Sequence, residues 1–515
     1  MSFRRSKDAD ADRAEATQAP LRDESISRSA AFSLGVQLTT AAFTAVLQLY
    51  LVRGLGPTAY GVFALALATG GLVVVPADLG ISAATARFVA ERRGNRNAVA
   101  EVVGAGFRVK LLTAAVISGV LFATSGLIAS AYQTQALTWP LRGAAVALFG
   151  QTILLFFQRT FIAQARIAPN LRIQIVESSV ETTASIALVA LGAGATGAAF
   201  GRAAGYIVGA AFALLLTVRL VGRLTLRPSQ RFGGSGRSII RYAGPLTIVD
   251  GAYAIFTQID AVLIGFLLTP AAVGLFQAPM RLITFLGYPG LALGNAVSPR
   301  VARRADGARS LRPLASAIRY MIILQAAIVP FLIAWSRPIV DLLLGPRYAH
   351  SAVVLRALTP YVFLAGISPI VSLAVTYVGV AGRRVPIVLG TVLMNLVIDL
   401  ALIPRIGIVA GAIGTDVAYT FYVVAHVWIC RTALDLPLRP IVATLLRSAV
   451  AAGAMVGVLL AIGTDSLSAV DWVLGGAAGL AAFVVALVAT REVSVADVRV
   501  AGSLAWRQLP RRAGA

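Results

Sequence analysis

The chain has 515 residues, of which 58% are hydrophobic and only 13% charged, and its mean hydropathy is +0.82. A water-soluble fold cannot bury that share of apolar surface, so the composition excludes an ordinary soluble enzyme and predicts an all-α, polytopic membrane protein. The formal charge of +23, from 45 Lys+Arg against 22 Asp+Glu, reads as a topology signal in inner loops and not as a nucleic-acid surface.

Residues 1–29 mix Arg4, Arg5, Lys7, Arg13, Arg22 and Arg28 with acids and small polar residues, a cytoplasmic tail too polar to bury a core. Apolar runs follow at 31–52, 60–82, 104–131, 142–163, 172–193 and 196–218, then a basic linker at 220–242. Eight more lie at 243–268, 271–297, 319–336, 351–380, 385–404, 408–430, 441–462 and 469–490. Each is about the 20 residues that cross a hydrocarbon layer. The expected architecture is therefore 14 transmembrane helices: a six-helix lobe at 30–219, a second at 243–430, two further helices at 431–490, and a cytoplasmic tail at 491–515.

Very short connections force antiparallel hairpins, so the chain alternates sides. With the first tail inside, all basic residues except Arg53, Arg142, Arg202, Arg281, Arg337, Arg347, Arg356 and Arg405 fall on or near cytoplasmic segments. That asymmetry predicts a plasma-membrane protein with both termini cytoplasmic. Trp139, Trp335, Trp428 and Trp472 fall at span ends, where indoles favour the lipid–water boundary.

The two lobes read as a repeat. Pro57, Ala59, Gly61 and Phe63 recur as Pro270, Ala272, Gly274 and Phe276, and Arg87 and Gly94 as Arg300 and Gly307, all at an offset of 213. An even number of spans per repeat predicts two pseudo-symmetric lobes related by an axis along the membrane normal, the architecture of a transporter that rocks about a central site.

The lone Cys430 excludes an intramolecular disulfide, and the distant His350 and His426 suggest no metal pair. The two lysines, Lys7 before Asp8 and Lys110 before Leu111, lack the Ser or Thr that a Walker A loop needs, so no ATPase of that kind is encoded.

Charges inside spans cost about 2.5–3.5 kcal/mol each on insertion scales and need partners or a wet cavity. Asp260 and Arg281 flank the turn between spans seven and eight, at depths that suit either a structural pair or an Arg281 left to meet substrate phosphate. Arg159 and Glu177 are placed likewise around the turn near 167, while Glu181, one helical turn on, is a cavity-lining candidate. On span eleven Asn395 and Asp399 share a helix face, and Thr415 and Asp416 open the next helix, a set that suits a sodium ion or a shared proton.

These motifs resemble the polysaccharide transporter branch of the multidrug/oligosaccharidyl-lipid/polysaccharide superfamily, which includes Wzx-type oligosaccharide flippases. The likeness rests on Leu55-Gly56-Pro57 with Tyr60-Gly61 and Phe63, on Asp78-Leu79-Gly80, and on Asn395 to Pro404 with Gly407, Gly411-Ala412 and Gly414-Thr415. It implies a V-shaped flippase, not an enzyme, that carries a polyprenyl-diphosphate-linked oligosaccharide across the bacterial plasma membrane by alternating access. Polysaccharide polymerases and glycosyltransferases would be its neighbours in the process, and no cofactor beyond a coupling Na+ or H+ is implied. By the same resemblance a cation site falls on Asp260, Asn395, Asp399, Gly411 and Thr415, with Asp250 as the competing choice on span seven. Arg281, Arg53 and Arg202 are the arginines placed to meet the diphosphate. The alternatives are a cation-coupled drug or metabolite antiporter of the same superfamily and a membrane glycosyltransferase or polymerase.

Overall fold

The computed structural model describes residues 26–78, 80–222, 235–302, 311–377, 381–465 and 467–494. The expected tails at 1–29 and 491–515 and the linker at 220–242 lie for most of their length outside these residues. All regular structure among the described residues is helical.

The first two expected spans, 31–52 and 60–82, lie in one helical stretch, α1 (Ile26–Asp78), which is two helices meeting at a sharp kink at Gly56, where φ is 72° and ψ 172°. Glycine tolerates that left-handed backbone, and Pro57 restarts a helix at once because its fixed φ suits the first turn. The chain next turns through a left-handed Gly80 into α2 (Ile81–Glu91). Helix α3 (Arg96–Ala131) follows, with Asn95 accepting the Ala98 amide as its N-cap. Then come α4 (Thr138–Ala163), α5 (Ala168–Leu188) and α6 (Gly194–Val221).

Beyond the linker lie α7 (Ser235–Leu267), α8 (Pro270–Thr284), α9 (Tyr288–Ala302), α10 (Arg312–Ala334) and two short helices, α11 (Ser336–Leu343) and α12 (Ser351–Ala357). The last are α13 (Thr359–Tyr377), α14 (Arg384–Ile406), α15 (Val409–Leu434), α16 (Leu438–Ile462) and α17 (Gly476–Ala489). Among the described residues ten helical stretches are long and apolar enough to cross a membrane, two of them 40 and 54 residues long.

Packing divides the chain into two compact units, residues 1–278 with 388–411, and 279–387 with 412–515. The first unit therefore contains α7, most of α8 and most of α14 beside the first six helices. The reason is visible at the repeat itself, where a side chain on Gly61 would collide with the Pro270 carbonyl and one on Gly274 with the Pro57 carbonyl.

Helix α6 carries Gly197, Gly201, Gly205 and Gly209, one per turn on one face, and they abut Leu188 to Glu177 of the helix before it. A methyl group on Gly205 would come within 2.6 Å of the Glu181 Cβ, and one on Gly209 within 2.9 Å of the Glu177 Cβ. Small residues at this spacing let two backbones approach closely enough for van der Waals packing to hold them in lipid. Phe107, Phe156, Phe157, Phe161 and Ile173 fill the space among α3, α4 and α5.

In the second unit α16 and α17 pack on α10 around Trp335, Met455, Leu459 and Phe483. Trp335 corrects its interfacial reading: it is fully buried, donates from Nε1 to the carbonyls of Gly463 (3.1 Å) and Leu459 (3.3 Å), and meets the Trp472 ring at 5.1 Å. Trp139 and Trp428 remain exposed, at 55% and 65%. Glu492, just past α17, accepts from Arg319 (2.7 Å), Thr444 (2.8 Å) and Arg447 (3.2 Å), pinning α17 to α10 and α16.

Candidate functional site

The deepest polar set of the first unit lies where α14 meets α7. Asn395 and Asp399, one turn apart on α14, are both fully buried, and among the described residues the Asn395 amide group meets no hydrogen-bond partner. The group that faces the Asp399 carboxyl is a second carboxyl, that of Asp260 on α7, also buried. Two carboxylates brought together in apolar surroundings repel, and burying charge costs several kcal/mol. A cation or a proton between them relieves both penalties. Gly411 belongs to the same unit and packs on Ile264 of α7 and Phe276 of α8, where a methyl group would come within 3.1 Å of each.

Thr415 is buried in the second unit. Beside it on α15, the Asp416 carboxylate accepts the Tyr361 amide at 2.9 Å. The side chain of Asp250 lies outside the described residues.

A second polar set sits on the glycine-lined seam of α5 and α6. Arg202 donates to Glu181 at 2.7 Å and to the Tyr206 hydroxyl at 2.8 Å, with its guanidinium 5.0 Å from the Tyr206 ring centre. Glu177 accepts from Gln174 (2.7 Å) and Ser178 (2.9 Å). Arg202 is thus the cation that permits Glu181 to be buried in a membrane-spanning helix. Arg53 is exposed on α1, three residues before the Gly56 break, and Arg281 is half-buried on α8 in the second unit.

The expected pair of Arg159 with Glu177 is replaced by another. Arg159 lies 3.7 Å from Asp78, whose other oxygen accepts from Lys110 at 2.7 Å and from Ser82. The break after α1 explains the change, because it turns Asp78 toward the interior of α3 and α4. Sequence reasoning treated Lys110 only as evidence against a nucleotide loop, yet a single lysine within a long apolar run was itself a signal. It also missed Arg384, which donates to His426 (3.3 Å), Tyr422 (3.3 Å) and Thr376 (2.8 Å) within the second unit. His426 Nδ1 lies 2.8 Å from the Tyr422 carbonyl, so the network assigns the hydrogen to Nδ1 and leaves Nε2 to accept from Arg384.

Among the described residues, ten long apolar helices that bury ionisable side chains define a polytopic membrane protein. The profile of the polysaccharide biosynthesis protein family matches residues 26–303, over half of the chain, and the chain belongs to that family. A curated relative, the probable low-salt glycan biosynthesis flippase Agl15 of Haloferax volcanii, is 20% identical over 428 residues, covering 81% of this chain and 86% of its own. Among solved structures, the lipid II flippase MurJ in an inward closed conformation aligns with a TM-score of 0.70 at 12% identity, over 89% of this chain and 98% of that one. An inward-facing multidrug resistance MATE transporter of the same superfamily aligns with a TM-score of 0.58 at 16% identity, over 77% and 95%. These likenesses show that the chain shares its fold with those transporters.

Proposed function

We propose that this protein is a flippase that moves a polyprenyl-diphosphate-linked oligosaccharide, or a related glycolipid, from the cytoplasmic to the outer leaflet of a bacterial plasma membrane for cell-surface polysaccharide assembly. The family match and the flippase relative support the substrate class. The observation that supports a transport role is the buried polar set of Asn395 and Asp399, in which the Asp399 carboxyl faces that of Asp260. A static structural helix has no reason to retain such a set, whereas a carrier that binds and releases an ion has one.

The sequence reading extends this to 14 spans, with both termini cytoplasmic and transport by alternating access. A sodium ion fits the donor set, since hard oxygen ligands from two carboxylates and an amide suit a hard cation. Asp260, Asn395 and Asp399 would hold it, with a carbonyl from Gly411, and the ion would supply the free energy of its gradient. A proton shared by the two carboxyl groups satisfies the same residues. Glycosyltransferases would supply the substrate and a polymerase would consume it.

The test is depletion of the protein in cells lacking related transporters. Lipid-linked oligosaccharide should accumulate on the cytoplasmic leaflet, and normal outer-leaflet delivery would overturn the reading.

A further inference from the structure

The ionic cluster at the end of α1 holds two cations and one carboxylate. Lys110 is completely buried on α3, donating to Asp78 Oδ1 at 2.7 Å and to the Ala77 carbonyl at 3.2 Å. Ser82 donates to the same Asp78 oxygen. Arg159, near the C-terminal end of α4, faces the other oxygen at 3.7 Å, too long for a hydrogen bond, and its side chain is 43% exposed.

Among the described residues the charges that act on Lys110 and Asp78 are each other and Arg159. The lysine has no route to water and requires the carboxylate, so Asp78 is spent on it. Two cations on one carboxylate leave the cluster with a net positive charge, and Arg159, the more distant partner of Asp78, is the one that solvent can reach. Among the described residues the guanidinium makes no hydrogen bond, and its planar donors match a phosphate group in the two-point manner an ammonium cannot. The cluster lies at the end of the unit that carries Arg87, Arg92, Arg93, Arg96 and Arg166. By the topology reading this is the cytoplasmic end, at the depth where lipid phosphates lie.

We infer that Arg159, exposed beside the buried Lys110–Asp78 pair, is a docking site for the phosphate of a lipid headgroup on the inner leaflet. The inference rests on the flippase reading for its biological meaning and deepens it, since a diphosphate-linked carrier presents that group at that depth. Arg159 was not among the arginines the sequence placed on substrate. A bulk anionic phospholipid carries the same chemistry, so the experiment separates the two sources.

The purified full-length protein, in nanodiscs of zwitterionic lipid, is titrated with farnesyl diphosphate as a short-chain probe, and binding is read by native mass spectrometry. Arg159→Gln should weaken binding at least tenfold, equivalent to about 1.4 kcal/mol. Arg159→Lys should keep part of the affinity, and Arg166→Gln at the same end should change it less than twofold. Competition by phosphatidylglycerol would identify a general lipid-phosphate site, and its failure to compete a diphosphate site. Wild-type affinity in Arg159→Gln, or an equal loss in Arg166→Gln, would overturn the inference. Binding needs no translocation, so a protein that binds but does not flip counts against the flippase reading alone, and one that flips without Arg159-dependent binding counts against this site alone.

Discussion

Gly61 packs under the carbonyl of Pro270, and Gly274 packs under the carbonyl of Pro57, so two residues 213 positions apart make the same contact in exchanged roles. Reciprocity of this kind is what a two-fold relation between the two motifs would give, and it makes the two glycine-proline turns a packing surface. Valine at either glycine must push two backbones apart. Gly61→Val is expected to cost about 1–3 kcal/mol, read as a lowered melting temperature in detergent. Once one substitution has opened the contact the second has less to lose, so the Gly61→Val/Gly274→Val loss should fall short of the sum of the singles. Full additivity would mean the two contacts are independent.

For the cation set, sodium chloride should raise the melting temperature of the wild type above that in N-methylglucamine chloride at equal ionic strength. At a hundredfold excess over the dissociation constant the gain is about 2.7 kcal/mol. Asp399→Asn should abolish the sodium response while keeping the fold, because the amide occupies the same volume without the charge. A variant that still responds to sodium would remove Asp399 from the site.

Arg202 is predicted to matter first as the counter-charge of Glu181. Arg202→Met leaves two buried glutamates without a cation and should destabilise the protein by about 3–5 kcal/mol. Adding Glu181→Gln should recover much of that loss, measured by the same thermal unfolding. If the double variant is no more stable than Arg202→Met, the pair is not what holds the seam.

Glu492 gives a pH dependence whose sign is fixed by its surroundings. Burial pushes its carboxyl up, but the hydrogen bonds from Thr444, Arg319 and Arg447 outweigh that and hold it below the ordinary glutamate range. A carboxyl depressed in the folded state stabilises above its unfolded value, near pH 4.3, and the contribution is lost as pH falls through the lower folded value. Glu492→Gln should therefore cost about 1.5–3 kcal/mol at pH 7 and progressively less below about pH 4. An equal difference at both pH values would show that the clamp is not ionic.

The sequence made the helical membrane class and the positions of the long apolar helices legible, because lipid forces hydrophobic runs of one length and charges into loops. Asn395 and Asp399 were legible as a pair for a related reason: polar residues one turn apart in an apolar helix share a face. The kink at Gly56 falls in the gap between the first two expected spans, because Gly-Pro both interrupts a helix and restarts one. The partner of Arg159 was missed because hairpin arithmetic relates neighbouring spans, whereas Asp78, Lys110 and Arg159 come from three helices brought together by the turn at Gly80. Trp335 was misplaced because a tryptophan at a span end looks the same in sequence whether it faces lipid or the seam beneath a later helix.

The account depends above all on movement of a sugar-bearing lipid between leaflets. The direct measurement uses proteoliposomes holding the purified protein and a fluorescently tagged polyprenyl-diphosphate oligosaccharide, with a membrane-impermeant reagent reading the exposed fraction. The account predicts protein-dependent exchange of the tagged lipid that Asp399→Asn suppresses. Equal exposure kinetics in loaded and empty liposomes, with the protein folded and correctly inserted, would contradict it.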